Sequence, residues 1–438
     1  MTKIQQTQIR KKFMHYIVPS IASMWVYTIY TMVDGMFVAR GVSTTALAAV
    51  NIVMPFINFT FAVGLLLAVG ASTLVSVYMG QEKKEKANEI FTTSVITVFS
   101  IGLFITIMVQ LNVGNLADLL GATDATRKYV MDYLRTIVIF DVFFMTSYNL
   151  EVLVKADGFP SLAIKTTTVG CLCNFILDYL FVIVFKWGII GAAVATGISQ
   201  ITTFTVFMIH FLSKRSNLSF IKIKYKFSSI KKMMKLGASD AMTEFSVGIV
   251  IFLFNNTLIR VVGDNGVVIY TVIAYVSQLI LMTMMGLNQG MQPLVSYYYG
   301  KGEKGTHKYL LNIALKCAIT CSIVAFVMGV LYPDPVVAAF IDKSKDMVLF
   351  TDAVSAFKLF SFSFLPLGVV VILAGYFTAL EKPKYAITVS MSRGLILVII
   401  SLAIMTLLFG EVGIWLSMGV SETLALVLAL ILYRKGAF

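Results

Sequence analysis

The chain has 438 residues, of which 58% are hydrophobic and only 13% charged, whereas a soluble domain carries about 25% charged residues. That balance excludes an ordinary soluble enzyme or binding module and implies a polytopic membrane protein. A net charge of +13 would suit a nucleic-acid partner, but the placement of the bases, read below, assigns it to membrane topology instead.

Long continuous apolar runs, and not short alternating ones, select helices over a barrel. The expected fold class is therefore an all-α membrane protein with twelve spans, near 14–39, 46–78, 88–110, 127–154, 161–185, 189–212, 233–259, 266–298, 308–332, 348–378, 386–409 and 412–433. The first span follows MTKIQQTQIRKKF without a small-residue cleavage site, so it reads as a retained anchor. Within it Pro19 precedes Asp34 by about four turns, and Pro55, Pro293 and Pro366 are expected to interrupt spans two, eight and ten. Four cysteines, Cys171, Cys173, Cys317 and Cys321, fall inside spans, where they read as small packing residues. No phosphate-binding loop, nucleotide fingerprint or nucleophile constellation is present, so neither an enzyme nor a cofactor is expected.

With the N-terminus inside, the loops on that side hold 24 Lys and Arg, Lys155 included, against seven outside. This imbalance places both termini in the cytoplasm of a plasma membrane. Arg135, Lys316, Lys358 and Arg393 remain, and are expected to snorkel from span ends. Short tails and compact loops suit a prokaryote, and a single chain is expected to suffice.

The most basic stretch, 214–235, divides the chain into an N-terminal lobe (1–213) and a C-terminal lobe (236–438). GASTLVSVYMGQEKKEKA from Gly70 aligns with GMQPLVSYYYGKGEKGTH from Gly290 at an offset of 220. ADGFPSLAI from Ala156 aligns with ALEKPKYAI from Ala379, and IIGAAVATGISQ from Ile189 with EVGIWLSMGVSE from Glu411. Two six-helix repeats follow. Because each has an even number of spans, they share one orientation, and a central cavity between them can open alternately to each side. A pore is the rival, but no filter-like loop or ring of charge is visible.

VDGMFVARG, ALAAVNIVMPF, NFILDYLFV, GAAVATGIS and the twofold repeat, in this order, resemble the multidrug and toxic compound extrusion (MATE) family of antiporters over essentially the whole chain. The resemblance implies a V-shaped pair of six-helix lobes exporting amphipathic organic cations in exchange for H⁺ or Na⁺. It also implies that Asp34, Asn174, Asp178 and Thr196 form the coupling cluster of the N-terminal lobe, and that Glu244 can serve ion binding in the other.

The residues support that cluster on their own terms. Asn174 and Asp178, four apart, share one helix face. An intramembrane carboxylate is expensive and marks function by default. Two acids held close in a low-dielectric site cannot both ionise cheaply, so a proton or a hard cation such as Na⁺, which prefers oxygen ligands, should be retained. Asp141 in span four either lines the lobe interior or pairs with Arg135, and Glu422 stands at the repeat position of Gln200. Flexible thioethers and aromatic faces suit lipophilic cations, so Trp25, Tyr30, Met36, Met282 and Met285 are the candidate cavity wall. Pro19 is the candidate hinge. The competing function is a flippase of lipid-linked saccharide, which would need basic residues in the central cavity; a channel or receptor would show no coupled flux.

Overall fold

The computed structural model describes residues 2–222, 226–344 and 346–436. Lys224 of the basic linker and Lys345 of an outer loop, both counted above, lie outside the described residues. Among those described, eleven helices are long and apolar enough to cross a membrane. The last of them, Pro383–Lys435, has 53 residues, about 80 Å at a rise of about 1.5 Å per residue, far more than a hydrocarbon core of about 30 Å. It breaks at Gly410, whose φ of 58° and ψ of −131° are non-helical. Spans eleven and twelve are its two arms, and the fold has twelve spans.

The helices of spans one (Lys3–Gly41), two (Thr44–Gly80), seven (Phe227–Val261) and eight (Asp264–Gly300) are 35 to 39 residues long and project past the membrane. They make the junction between the lobes. Span one packs along span eight and span two along span seven, and the repeat exchanges these two pairs. Within each lobe the remaining spans pack around them, with Leu74, Phe91, Leu153 and Phe207 in one core of the N-terminal half and Met284, Met291, Leu311 and Phe377 in one of the C-terminal half.

Glycine permits the closest crossings. A Cβ on Gly70 would fall inside the backbone of Met233, and one on Gly237 inside that of Leu66. Nearer the loops, Gly80 lies against the carbonyl of Tyr297 and Gly300 against that of Val77, a pair of contacts that the offset of 220 turns into each other. Small residues at helix crossings allow backbones to approach and disperse along their whole length. The lobes are thus closed on the side that carries the N-terminus.

Several expectations change. Spans one, two and eight run as single helices through Pro19, Pro55 and Pro293. A partner span can absorb a missing amide donor in a membrane helix. Only near Pro366 does a helix change, passing through a 3₁₀ turn at Ser361–Ser363. The basic linker is part helix, since span seven begins at Phe227. Upstream of it the chain is stitched to the N-terminal lobe: Asp157 accepts from the amides of Asn217 (2.8 Å) and Leu218 (3.0 Å) and pairs with His210 at 2.8 Å.

Candidate functional site

Spans one, two, four and six enclose a cavity of about 260 Å³ in the N-terminal lobe, lined by Tyr27, Tyr30, Asp34, Tyr133, Asp141 and Thr196 among others. Asp34 descends from span one and is 9% exposed; Asn174 and Asp178, one helical turn apart on span five, are 1% and 0% exposed. The carboxyl groups of Asp34 and Asp178 are neighbours that interact with each other, and Asp34 also lies beside Thr196. Asn174 donates through Nδ2 to Thr196 Oγ1 at 3.4 Å. The four residues named from the sequence therefore converge, although spans one, five and six bring them from distant parts of the chain.

Both oxygens of Asp178 and Oδ1 of Asp34 are buried without a hydrogen-bond partner in the protein. Such orphaned acceptors stabilise only with a proton or a cation beside them. The donor set is all oxygen apart from the Asn174 amide nitrogen, which fits either. Span five changes register at this point: the helix Pro160–Asp178 continues as a π-helical turn, Tyr179–Val184. Turns of that kind recur at functional sites because they re-aim the side chains around them.

Asp141 lines the same cavity and accepts from Thr60 at 3.0 Å through Oδ1, leaving Oδ2 without a partner. Its proposed pairing with Arg135 does not form; Arg135 is exposed and its carbonyl accepts from Gln110.

The candidate wall residues scatter. Tyr30 lines the cavity. Trp25 is half exposed at the lobe junction, where its indole donates to Thr283 at 2.9 Å, and Met36 is half exposed and outside the cavity lining. Met282 and Met285 are buried in the C-terminal lobe, Met285 within its core, and neither borders the N-terminal cavity. Tyr27, Tyr133, Phe140 and Phe144 supply its aromatic surface instead. Glu244 lies on span seven, partly buried and outside the lining of the C-terminal cavity.

That second cavity, about 120 Å³, occupies the C-terminal lobe. It is the repeat image of the first: Val250, Ser277, Gln278, Phe364, Met418 and Glu422 stand where Tyr30, Ile57, Asn58, Asp141, Thr196 and Gln200 stand in the N-terminal lobe. Gln278 borders both. Two bases expected at loops or span ends are buried instead. Arg393 lies within span eleven and bonds Glu422 at 2.7 Å. Lys155 is 0% exposed and bonds Glu151 (3.1 Å) and, across the lobe junction, Gln289 (3.0 Å). A base well inside the apolar window 386–409 was the available signal for Arg393; for Lys155 it was Glu151, four residues earlier on the same helix.

The model of the MatE family matches this chain twice, over residues 19–180 and 241–405, once in each lobe. The multidrug export protein MepA of Staphylococcus saprophyticus is 22% identical over 436 residues, covering 98% of this chain and 94% of that protein. A Vibrio cholerae MATE transporter has the same fold, with a TM-score of 0.92 at 17% identity over 99% of this chain and 98% of its own. A multidrug resistance MATE family transporter in an outward-facing conformation superposes with a TM-score of 0.91 at 20% identity, covering 99% of this chain and 98% of that one. Twelve spans in two repeated lobes, a cavity in each, and a family match across both halves together place this chain in the MatE family of multi-pass membrane transporters, which are not enzymes.

Proposed function

We propose that this protein is a secondary active antiporter that exports amphipathic organic cations across a prokaryotic plasma membrane in exchange for protons. The observation that carries the reading is the charge of the N-terminal cavity: Asp34 and Asp141 line it, Asp178 stands behind Asp34, and no basic side chain borders it among the described residues. The two buried bases that a flippase would need for a pyrophosphate are already bonded to Glu151 and Glu422.

The chemistry is an exchange at one site. With the cavity empty, Asp34 and Asp178 share a proton, because two neighbouring carboxylates in a dry pocket cannot both ionise cheaply. A lipophilic cation seated among Tyr27, Tyr30 and Tyr133 favours the ionised acids and displaces the proton; a proton returning from outside displaces the cation. With the basic loops in the cytoplasm, the Gly80–Gly300 side, where the lobes are closed, is the cytoplasmic one, as an outward-facing state requires. Return to the inward state requires these glycine contacts to part. Pro19, which leaves the His15 carbonyl without its amide donor, is the proposed bend in span one.

Na⁺ is the second reading, favoured by the orphaned oxygens of Asp178. Proteoliposomes loaded with an ethidium-like dye separate the two: a pH gradient alone should drive dye movement, and Asp178→Asn should stop it. Movement driven only by a Na⁺ gradient, and sensitive to Thr196→Ala, would keep the site and change the ion.

A further inference from the structure

We infer that Lys155 and Gln289 are positioning residues for transport: they form a latch between the lobes, built in one repeat and not in the other, that sets how readily the cytoplasmic end opens. Lys155 Nζ, on span four, donates to Glu151 Oε1 of its own helix at 3.1 Å and to Gln289 Oε1 of span eight at 3.0 Å. Gln289 returns the contact, its Nε2 donating to the hydroxyl of Tyr148, again on span four, at 2.9 Å. All four side chains are buried, Lys155 completely.

Both ends of the Gln289 amide thus cross the lobe junction. Its neighbours on span eight face the other way: Asn288 and Gln292 donate to Asp240 of span seven at 3.2 and 3.4 Å, within the C-terminal lobe. Of the three, Gln289 is the one turned to the N-terminal lobe.

The fold does not require this bridge. Elsewhere the closed end repeats itself: Gly80 and Gly300 exchange under the offset of 220, and so do Lys12 over the ring of Tyr298 (5.6 Å) and Lys232 over that of Tyr78 (5.9 Å). At the repeat positions of the bridge, Val69 stands for Gln289, and Val371, Ala374 and Thr378 stand for Tyr148, Glu151 and Lys155. None of these carries a charge, and the Thr378 hydroxyl has no hydrogen-bond partner in the protein. One copy holds a bonded ammonium where the other holds uncharged side chains.

An ammonium adds a closure that lasts only while the lobes are together. A buried lysine is stable as long as acceptors replace its water, and a hydrogen bond to a charged group stabilises more than one between neutral groups. When the lobes part, Gln289 is withdrawn while water reaches Lys155 and Glu151, so the cost of opening is the net worth of the bond and not that of a stranded charge. The bond is also directional, whereas apolar burial is not, so it marks one register of span four against span eight. Span four carries Asp141 of the main cavity as well, and its Tyr148 and Glu151 line a smaller chamber of about 50 Å³ that shares Tyr27, Tyr30 and Gln200 with that cavity. The latch therefore stands beside the N-terminal cavities on a helix that lines both. The inference rests on the proposed alternation of the lobes, but on neither the ion nor the cargo.

The test is the distance between spin labels on the loops 81–83 and 301–303 of the full chain in lipid nanodiscs. Gln289→Leu removes both cross-junction bonds and leaves the Lys155–Glu151 pair intact; Gln289→Glu keeps an acceptor for Lys155 and adds a charge to it. Short distances should predominate in the natural chain. The ratio of long to short should rise roughly tenfold or more in Gln289→Leu, and stay at or below the natural value in Gln289→Glu. Thr378→Val, at the repeat image of Lys155, should leave it unchanged. If thermal unfolding shows that Gln289→Leu does not fold, Tyr148→Phe, which keeps the ring and removes one bond, should raise the ratio by roughly threefold. An equal rise in Gln289→Glu or Thr378→Val would overturn the latch. Distances that stay short in the folded variant but lengthen in Gly300→Leu would overturn it too, and distances that stay short in both would count against the alternation on which it rests.

Discussion

The two lobes build one cavity twice and charge it differently. In the N-terminal copy Asp141 and Asp34 face a wall of tyrosines, and Asp178 stands behind; in the C-terminal copy Phe364 takes the place of Asp141, Phe254 that of Asp34 and Ser401 that of Asp178, while Arg393 and Glu422 supply an ion pair. A duplicated fold therefore does not imply a duplicated site. The helices set where side chains can meet, and a few substitutions at fixed positions decide which charges line the result.

That contrast can be broken most severely at its acidic end. Asp34→Asn and Asp178→Asn should each lower pH-gradient-driven dye transport in proteoliposomes by roughly a hundredfold or more, since an amide keeps the size of the group but not its exchangeable proton, while dye binding to the folded protein persists. In the C-terminal copy the effect is on stability. Removing Arg393 alone should destabilise the protein by about 3–5 kcal/mol, because Glu422 is left charged and buried, whereas the Arg393→Met/Glu422→Met pair should be roughly neutral; thermal unfolding in detergent compares the two, and similar midpoints would show that the pair is not a closed unit.

A smaller effect is expected where the lobes touch. Gly80→Leu or Gly300→Leu should destabilise the closed end by roughly 1–3 kcal/mol through overpacking and shift the population toward separated lobes, which spin labels on the loops 81–83 and 301–303 would read as a longer distance. Unchanged distances would mean that the glycine contacts do not hold this end shut. Smaller again is Thr60→Ala, which removes the hydrogen bond to Asp141 and should weaken the fold by about 1 kcal/mol. Arg135→Gln, on an exposed position outside either cavity, should stay within about 0.5 kcal/mol, and serves as the control.

The sequence made most of the helices legible because hydropathy over some twenty residues is a local property. The repeat was legible as well, through matched segments at nearly constant offset. The proposed coupling cluster could be named because acids inside apolar windows are rare and the four residues fit a known pattern; their convergence still had to come from the packing of spans one, five and six. What stayed hidden depends on distant partners. Lys155 looked like a loop base because only one of its two partners, Glu151, is near in sequence, and Gln289 is 134 positions away. Arg393 and Glu422, 29 apart on different spans, looked like a snorkelling base and the repeat counterpart of Gln200. Met282 and Met285 lie outside the N-terminal cavity for a related reason: composition shows that a span is rich in methionine, but only tertiary packing shows which face is core. The Gly410 break was seen as a loop between two spans, but the structure shows it as a single non-helical residue.

The central claim is that the Asp34–Asp178 pair trades a proton for a cationic substrate, and it can be read without transport. Purified protein in a weakly buffered, Na⁺-free solution is mixed with an ethidium-like dye, and the pH change is followed. The account predicts release of about one proton for each dye bound near neutral pH, with no release from Asp178→Asn although that variant still binds dye. Dye binding without proton release by the natural chain, or undiminished release by Asp178→Asn, would contradict it.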